Sequence, residues 1–511
     1  MVDLLNDSVS GGSLESIDRG EKEPLVGTRV TATAVYTRRW YLLLLFSLCC
    51  MLWTLIWATW GPIAQSAEAA FSWDDSNIAL FLWVGNVPFA ALCIPYSWLM
   101  DHRGLRVSML LACFVMAAGA GLRCIGLYDF DNFQWLVYAG QFLNGIAGPF
   151  TQGGCALFSN LWFPPGQRAT ATAISTLIGY MGSSLAFILG PLIIPGSTSD
   201  ADIITTTINP GGRNLTQYLI MDPQSANNTD LQDGIMRYMY YQAGAAGLLL
   251  VLVLIYFPDK PPVPPSLSAA TEREEFRPGL AKLIRNKQFW MISLAYSLPV
   301  GIFEVWDIGL DVILNAINID QTEAGWIGFY SVIAGCGTGL IISRFADIFF
   351  RQLKLFLVLF YIVSAVFILW FIFIYIGLLP TDDVSIKAAI ILSGVFLDGC
   401  SPLFYELVCE AAYPVGEGVS SCFLQMMTII AGVVFLSIQE IPNLGTTWMN
   451  WCLFGSVCGA VPLLLLAKER YGRSDIDAKE IIVHEPPENP SMQRDHAHQI
   501  HDSDTTTAVE V

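Results

Sequence analysis

Residues 97–106 read Ser97-Trp98-Leu99-Met100-Asp101-His102-Arg103-Gly104-Leu105-Arg106. An apolar run lies on each side, about 76–99 before it and about 105–126 after it. A helix needs about twenty apolar residues to cross the hydrocarbon core of a bilayer, so both runs are long enough. Charged residues packed between two such runs mark a tight turn where the chain leaves the membrane and re-enters it. A worn copy stands in the second half: Ser343-Arg344-Phe345-Ala346-Asp347, then Arg351 and Lys354. The same pattern at matching points of two halves predicts an internal duplication. Asp101, Arg103, Arg106, Arg344 and Asp347 are therefore candidate gating residues. The plain alternative is a loop carrying ordinary topogenic charge.

Outward from this turn the chain divides into twelve candidate spans. Six lie at about 40–65, 76–99, 105–126, 134–160, 167–192 and 238–257, and six at about 289–315, 322–346, 353–378, 386–411, 417–440 and 447–468. The expected organisation is a disordered cytosolic N-terminus (1–38), a six-helix bundle (39–257) with a lumenal loop at 193–237, a Pro-rich cytosolic linker (258–288), a second six-helix bundle (289–470) and a disordered acidic tail (471–511). With both termini in the cytosol, 22 of the 26 Lys and Arg face the cytosol and only Arg123, Arg213, Arg237 and Lys387 face away. That is the asymmetry of the positive-inside rule. The 193–237 loop carries two glycosylation sequons, at Asn214 and Asn227, on the side expected to be lumenal.

Composition agrees. Hydrophobic residues make up 54% of the 511 and charged residues 14%, with a mean hydropathy of +0.52; soluble proteins carry roughly a quarter charged residues. The apolar runs are continuous, not alternating, which excludes a membrane β-barrel. A net charge of −18 offers no basic surface for phosphates, so nucleic acid is not an expected partner. The twelve Cys sit within or beside apolar runs and read as small buried side chains, not disulfides or metal ligands. His496, His498 and His501 read as part of a solvated tail, with metal binding the alternative. No signal peptide, cofactor, metal or enzyme activity is expected.

The charges left inside the spans are the informative ones. Glu304, Asp307 and Asp311 of span seven fall within about 60° of arc on one helix face. A charge at mid-membrane costs roughly 2.5–3.5 kcal/mol on insertion scales, so three on one face must look into a polar cavity. A desolvated carboxylate in such a cavity can exchange protons near neutrality. Proton coupling at Glu304, Asp307, Asp311 and Asp398, or capture of a substrate's cationic group by Glu304, is the expected chemistry. A structural pair with Arg123 or Lys387 is the alternative. Glu406 and Glu410 lie nearer the cytosol and, with Glu417, read as gating residues; Glu406 and Glu410 are expected to be tied to Arg168 or Arg344. Gln141, Asn144 and Gln425 complete the candidate substrate ligands, although buried amides also join helices. Trp57 and Trp60 form a candidate aromatic box for a cation, or serve as interface anchors. Span one is interrupted at Trp57-Ala58-Thr59-Trp60-Gly61-Pro62 and span seven at Pro299-Val300-Gly301, and paired interruptions point to a site at the midplane.

The turn at 97–106 resembles the signature of the major facilitator superfamily. Asp101, Gly104 and Arg106 match it, while Ser97, His102 and Leu105 depart from it. Thr59-Trp60-Gly61-Pro62-Ile63, Gly121-Leu122-Arg123-Cys124-Ile125, Ala169-Thr170-Ala171-Thr172-Ala173-Ile174, Ala324-Gly325-Trp326-Ile327-Gly328-Phe329 and Tyr413-Pro414-Val415-Gly416-Glu417-Gly418 resemble solute carrier family 49, its lysosomal branch in particular. The resemblance implies an all-α fold of twelve transmembrane helices in two pseudo-symmetric bundles. It also implies secondary active transport of a haem-like, choline- or amine-like, or vitamin B6-like solute. A channel or a non-transporting receptor on the same fold is the alternative. Choline carriers of the family use aromatic residues of the first and seventh helices; Trp57 matches the first, and Glu304 stands at the second. The lysosomal relative carries an acidic dileucine signal for sorting adaptors. The nearest match here is Glu21-Lys22-Glu23-Pro24-Leu25-Val26, with Val26 in place of the second Leu or Ile. An endolysosomal membrane is the expected location, the plasma membrane the alternative. The expected partners are lipid, a small solute, protons and adaptors, around a monomer.

Overall fold

The computed structural model describes residues 33–73, 75–125, 133–194, 223–271, 273–315, 317, 319, 321–348, 352–380, 382–439, 441 and 445–484, and every regular element among them is helical. α1 (Arg39–Trp57) is a Leu-rich run free of Gly and Pro, and it stops just before Gly61-Pro62. α2 (Ala64–Phe71) resumes beyond the break. α3 (Asp75–Cys124) has 50 residues, about 75 Å at 1.5 Å per residue, against a hydrocarbon core of about 30 Å. It therefore makes two crossings, divided at Gly104, where φ is 81° and ψ −179°. Only Gly adopts that φ without strain. A Cβ there would also lie 2.2 Å from the Asp259 carboxylate. Asp259 is held close because it accepts the Arg106 backbone N–H at 3.1 Å and so caps the second arm.

α4 (Phe133–Trp162), α5 (Arg168–Ile193) and α6 (Pro223–Ile255) complete the first half. Two short linker helices follow, α7 (Leu267–Ala270) and α8 (Phe276–Arg285). The second half comprises α9 (Lys287–Ile308), α10 (Leu310–Asn315), α11 (Gln321–Ile348), α12 (Leu353–Tyr375), α13 (Asp383–Asp398), α14 (Ser401–Ala412), α15 (Glu417–Gln439) and α16 (Thr447–Leu466), and α17 (Gly472–His484) ends the described chain. Among the described residues, ten segments are long and apolar enough to cross a membrane. One of them is the double-length α3, one is the pair α13–α14, and α4 adds a more polar crossing of 30 residues. The result is six crossings on each side of the linker.

Each half has its own core. The first is built around Phe46, Phe150, Phe158 and Trp162, with an aromatic cluster of Trp60, Trp73, Phe81 and Phe133 at the end away from the linker. The second is built around Tyr296, Trp306, Tyr361 and Phe404. The halves meet where α5 packs on α11 and where α15 packs on α3 and α4. In each case a fifth helix of one half meets a second helix of the other, which is the signature of a pseudo-twofold. At the second contact a Cβ on Gly153 would lie 2.4 Å from Cys422 Sγ, so Gly is what permits the close approach. Large apolar side chains such as Leu248, Leu355, Val366 and Leu465 point outward, as a lipid-facing surface requires.

Four sequence-based expectations change. The tail after 471 begins with a folded helix, because Arg473 and Asp477 of α17 are buried against charges far away in the sequence. Residues 223–237 are not loop: α6 starts at Pro223, about 50 Å from its end at 1.5 Å per residue, and buries Leu231, Ile235 and Met236 in the aromatic cluster beside α2. Ahead of α1, Ala34 N–H donates to Pro264 O at 3.3 Å, so residues 33–38 lie against the linker instead of being disordered. Finally, α9 runs unbroken through Pro299 and breaks at Gly309. Gly301 serves packing instead, since its Cβ would lie 2.4 Å from Thr428 O of α15.

Candidate functional site

Between the halves lies a cavity of about 1040 Å³. Glu304 and Asp307 of α9 and Asp398 at the end of α13 line it, and no Lys, Arg or His does so among the described residues. Asp307 Oδ1 is buried without a hydrogen-bond partner among the described residues. The cations that offered a structural pairing are engaged elsewhere. Lys387 is held by Glu323 at 2.5 Å and Asp383 at 2.8 Å, and Arg123 donates to Gln141. The Asp311 side chain lies outside the described residues. α9 thus presents two acidic side chains one turn apart to the space between the halves, and α13 adds the third.

The opposite wall comes from the broken end of α1. The Trp57 ring stacks on Trp53 with centroids 5.4 Å apart and planes at 29°. It rests on Gly85 of α3, where a Cβ would lie 2.5 Å from the ring. Trp60 also touches the cavity, but its ring is embedded against Trp73 and Phe81. Gln425 of α15 reaches across to Gln152 of α4 at 3.4 Å, so an amide pair joins the halves at the cavity wall. Gln141 and Asn144 are not on that wall. They lie behind α1, where Asn144 Nδ2 donates to Trp53 O at 3.3 Å and Trp53 Nε1 donates to Asn144 O at 2.8 Å. The lining runs on through Gly61, Pro62, Leu192 and Ile194, toward the C-terminal ends of α1 and α5, away from the linker.

The end that carries the linker is closed. Asp347 accepts the backbone N–H groups of Ala169 and Thr170 at 3.1 and 2.9 Å and the Thr170 hydroxyl at 2.5 Å, at the start of α5. Asp101 stands at the start of α15, where a Cβ on Gly416 would lie 3.3 Å from its Oδ1. Each carboxylate meets the positive end of a helix from the other half, as the repeated motif requires. Arg106 contributes its backbone N–H to Asp259, Arg103 is exposed, and Arg344 Nη1 reaches Gly166 O at 3.5 Å.

Beneath these helix ends lies a buried ionic layer. Glu406 and Glu410 pair with Arg473 of α17, not with Arg168 or Arg344. Arg473 donates to Glu406, and its Nε lies 3.2 Å from Glu410 Oε1. Burial alone would lower the Arg473 pKa, but Glu406 and Glu410 carry it well above the ordinary range. Thr172 of α5 donates to Glu406 at 2.9 Å, which ties this cluster to the first half. Arg168 Nη1 meets Asp477 Oδ2 at 2.8 Å, and the same guanidinium donates to Ser266 and Ser268 beside α7. Glu417 pairs with Arg273 of the linker at 2.5 Å. Arg473, Asp477, Asp259 and Gln152 are the contributors that sequence reasoning missed. The Arg473–Asp477 spacing of one helical turn was the available signal for the first two. Asn214, Glu21, Leu25 and Val26 lie outside the described residues; Asn227 falls on α6, its side chain outside them. All twelve Cys are unpaired, and no group of three His, Cys, Asp or Glu among the described residues is placed to hold a metal.

The Major Facilitator Superfamily model matches residues 42–436. The chain is 36% identical to the solute carrier family 49 member 4 homolog of Xenopus tropicalis, over 91% of this chain and 98% of that one. It is 27% identical to the choline/ethanolamine transporter flvcr2b of Danio rerio, over 80% and 78%. Among solved structures, the transporter FucP in the outward conformation aligns with a TM-score of 0.61 at 15% identity, covering 83% of this chain and 98% of that one. A bacterial homologue of the iron transporter ferroportin in an outward-facing state aligns at 0.59 and 13%, covering 84% and 98%. These proteins are transporters, not enzymes. A multi-pass chain matched by one family model over most of its length, and by a family 49 protein over nearly all of it, belongs to the major facilitator superfamily and, within it, to solute carrier family 49.

Proposed function

We propose that this transporter carries a small organic solute with a protonatable cationic group, by alternating access coupled to protons. The observation that carries this reading is the set of three carboxylates, Glu304, Asp307 and Asp398, sharing a cavity with no basic lining residue among those described. Like charges crowded out of water are relieved only by cations, either protons or a substrate's own charge. A haem-like solute brings further carboxylates and suits this wall poorly. An amine-like or vitamin B6-like solute suits it better, with Trp57 offering a face to a cation or flat ring. Relatives described as choline/ethanolamine transporters fit the same charge logic. Glu304, standing where an aromatic residue serves choline carriers, favours groups that carry a proton over quaternary ones.

The closed cytosolic layer and the lining that runs toward the opposite face support loading from the non-cytosolic side. For an acidic organelle, that is export with proton release into the cytosol. The gating residues in this reading are Asp101, Asp347, Glu406, Glu410 and Glu417, joined by Arg473, Asp477 and Arg168. An endolysosomal membrane is the proposed location, supported by the family resemblance.

The test is a metabolite comparison of isolated organelles with and without the protein, followed by flux of the changed species into proteoliposomes. Saturable, pH-driven flux of a cationic metabolite is the expected result. Accumulation of an anionic metabolite instead, or single-channel current, contradicts the reading.

A further inference from the structure

Behind the aromatic wall of the cavity a guanidinium is buried with no carboxylate beside it among the described residues. Arg123, in the last turn of α3, is 0% exposed, and no Asp or Glu among the described residues pairs with it. A buried cation is tolerated only where something supplies opposite charge. What faces Arg123 is the cut end of α1. A helix that stops leaves its last carbonyls without partners and gathers partial negative charge there.

Three of those carbonyls can be followed to a donor. Thr54 O accepts the Ala58 N–H at 2.9 Å. Leu55 O accepts the Thr59 hydroxyl at 2.9 Å, and that hydroxyl is itself held by Gln242 Nε2 at 2.8 Å. Ile56 O accepts Arg123 Nη1 at 3.4 Å, while Arg123 Nη2 donates to Gln141 Oε1. α4 leaves a groove for the side chain at Gly140, where a Cβ would lie 2.8 Å from Arg123 Cγ and Nε. One turn further along α4, Asn144 holds the Trp53 backbone and indole. The carbonyl that Arg123 takes belongs to the residue before Trp57, and the released segment from Ala58 to Ile63 lines the cavity.

We propose that Arg123 is the positioning residue of the transport site. It caps the broken end of α1, with Gln141 orienting its fork, and so fixes where Trp57 and the Ala58–Ile63 segment stand against the cavity. The proposal uses the transport reading only for its purpose; the geometry it claims exists whether or not solute moves. A planar fork can serve Ile56 O and Gln141 Oε1 together, whereas a Lys ammonium offers a single point of charge.

The test uses full-length protein in proteoliposomes and the impermeant cationic reagent methanethiosulfonate ethyltrimethylammonium. Ala58→Cys reports on the α1 segment and Ile429→Cys on the α15 wall of the same cavity, with the parent protein as background. With Arg123→Met, the labelling rate at position 58 is expected to change by about tenfold, the scale of one lost charged hydrogen bond, while the rate at 429 stays within about twofold. Gln141→Leu, which keeps the arginine, is expected to shift position 58 in the same direction by a smaller factor. Equal rates at position 58 in parent, Arg123→Met and Gln141→Leu overturn the proposal. So does a parallel change at 58 and 429, which marks a general loss of packing. Full restoration by Arg123→Lys overturns the claim that the fork is needed. Labelling requires no flux, so a failure here is separate from a failure of the transport reading, which the proteoliposome flux assay decides alone.

Discussion

Trp57 owes its place on the wall to what is missing beneath it: Gly85 has no side chain, and any Cβ there would strike the indole. Gly85→Ala is therefore expected to act like Trp57→Ala, each raising the KM for solute flux about tenfold, the worth of a desolvated cation–π contact. Turnover at saturation should change much less. Initial-rate uptake in proteoliposomes checks this, and an unchanged KM in Trp57→Ala removes the ring from the site. The cavity acids were readable from the sequence, because a carboxylate inside an apolar run has few tolerable places other than an aqueous space between helices. Glu304, Asp307 and Asp398 all line the cavity. The amides were not readable in the same way. Gln425 reaches the cavity while Asn144 turns to α1 and Gln141 to Arg123 of α3, since an amide is satisfied equally well by a cavity or by a neighbouring helix.

Among the elements, α17 shows most clearly what local sequence conceals. Its Arg, Ser and Asp residues look solvated until Glu406, Glu410 and Arg168 are placed beside them, and those partners lie more than sixty positions away. Arg473→Gln leaves two buried carboxylates uncompensated, at a cost of about 3–5 kcal/mol to the closed arrangement. The expected result is faster modification of native Cys409, buried in this layer, by an impermeant thiol reagent applied from the side that carries the linker. Adding Glu406→Gln and Glu410→Gln should slow the reaction again, and no acceleration in Arg473→Gln would show that α17 does not secure the gate. Arg473 is held well above its ordinary range. A raised pKa confers stability that is fully present below the unfolded value and lost only as pH rises through the folded one. The ratio of Cys409 modification rates in Arg473→Gln and the parent, which cancels the thiol's own ionisation, should therefore stay constant between about pH 5 and 8, the ordinary working range. Elsewhere in the same layer, Gly104→Ala forces a positive φ on a side chain and a clash with Asp259. It should lower stability by about 1–3 kcal/mol, seen as a lower unfolding temperature in detergent. An unchanged temperature would mean that the α3 division does not depend on Gly104.

For the whole molecule, the duplicated turn carried the most information in the chain. Asp101 and Asp347 meet α15 and α5 across the midline, and from that pairing the two-bundle architecture follows. The extent of α6 and the break at Gly309 were not legible, because polar residues can continue a helix beyond the bilayer and a proline need not end one. If the halves rock, contacts at the closed end must part in each cycle. Cys336 Sγ lies 3.2 Å from Leu177 O across the α5–α11 contact. A Leu177→Cys variant, oxidised so that its new thiol bridges to native Cys336, should lose flux and regain it on reduction; full flux with the bridge intact would exclude rocking at this interface. Underneath these tests lies the claim that three acidic side chains in one cavity hold what is carried. Its most direct measurement compares pH-driven uptake of the identified cationic solute by the parent protein and by Glu304→Gln, Asp307→Asn and Asp398→Asn combined, in proteoliposomes with equal folded protein. Uptake abolished in the triple variant, with solute exchange no longer sensitive to pH, is the predicted result; uptake and pH dependence equal to the parent's would contradict it.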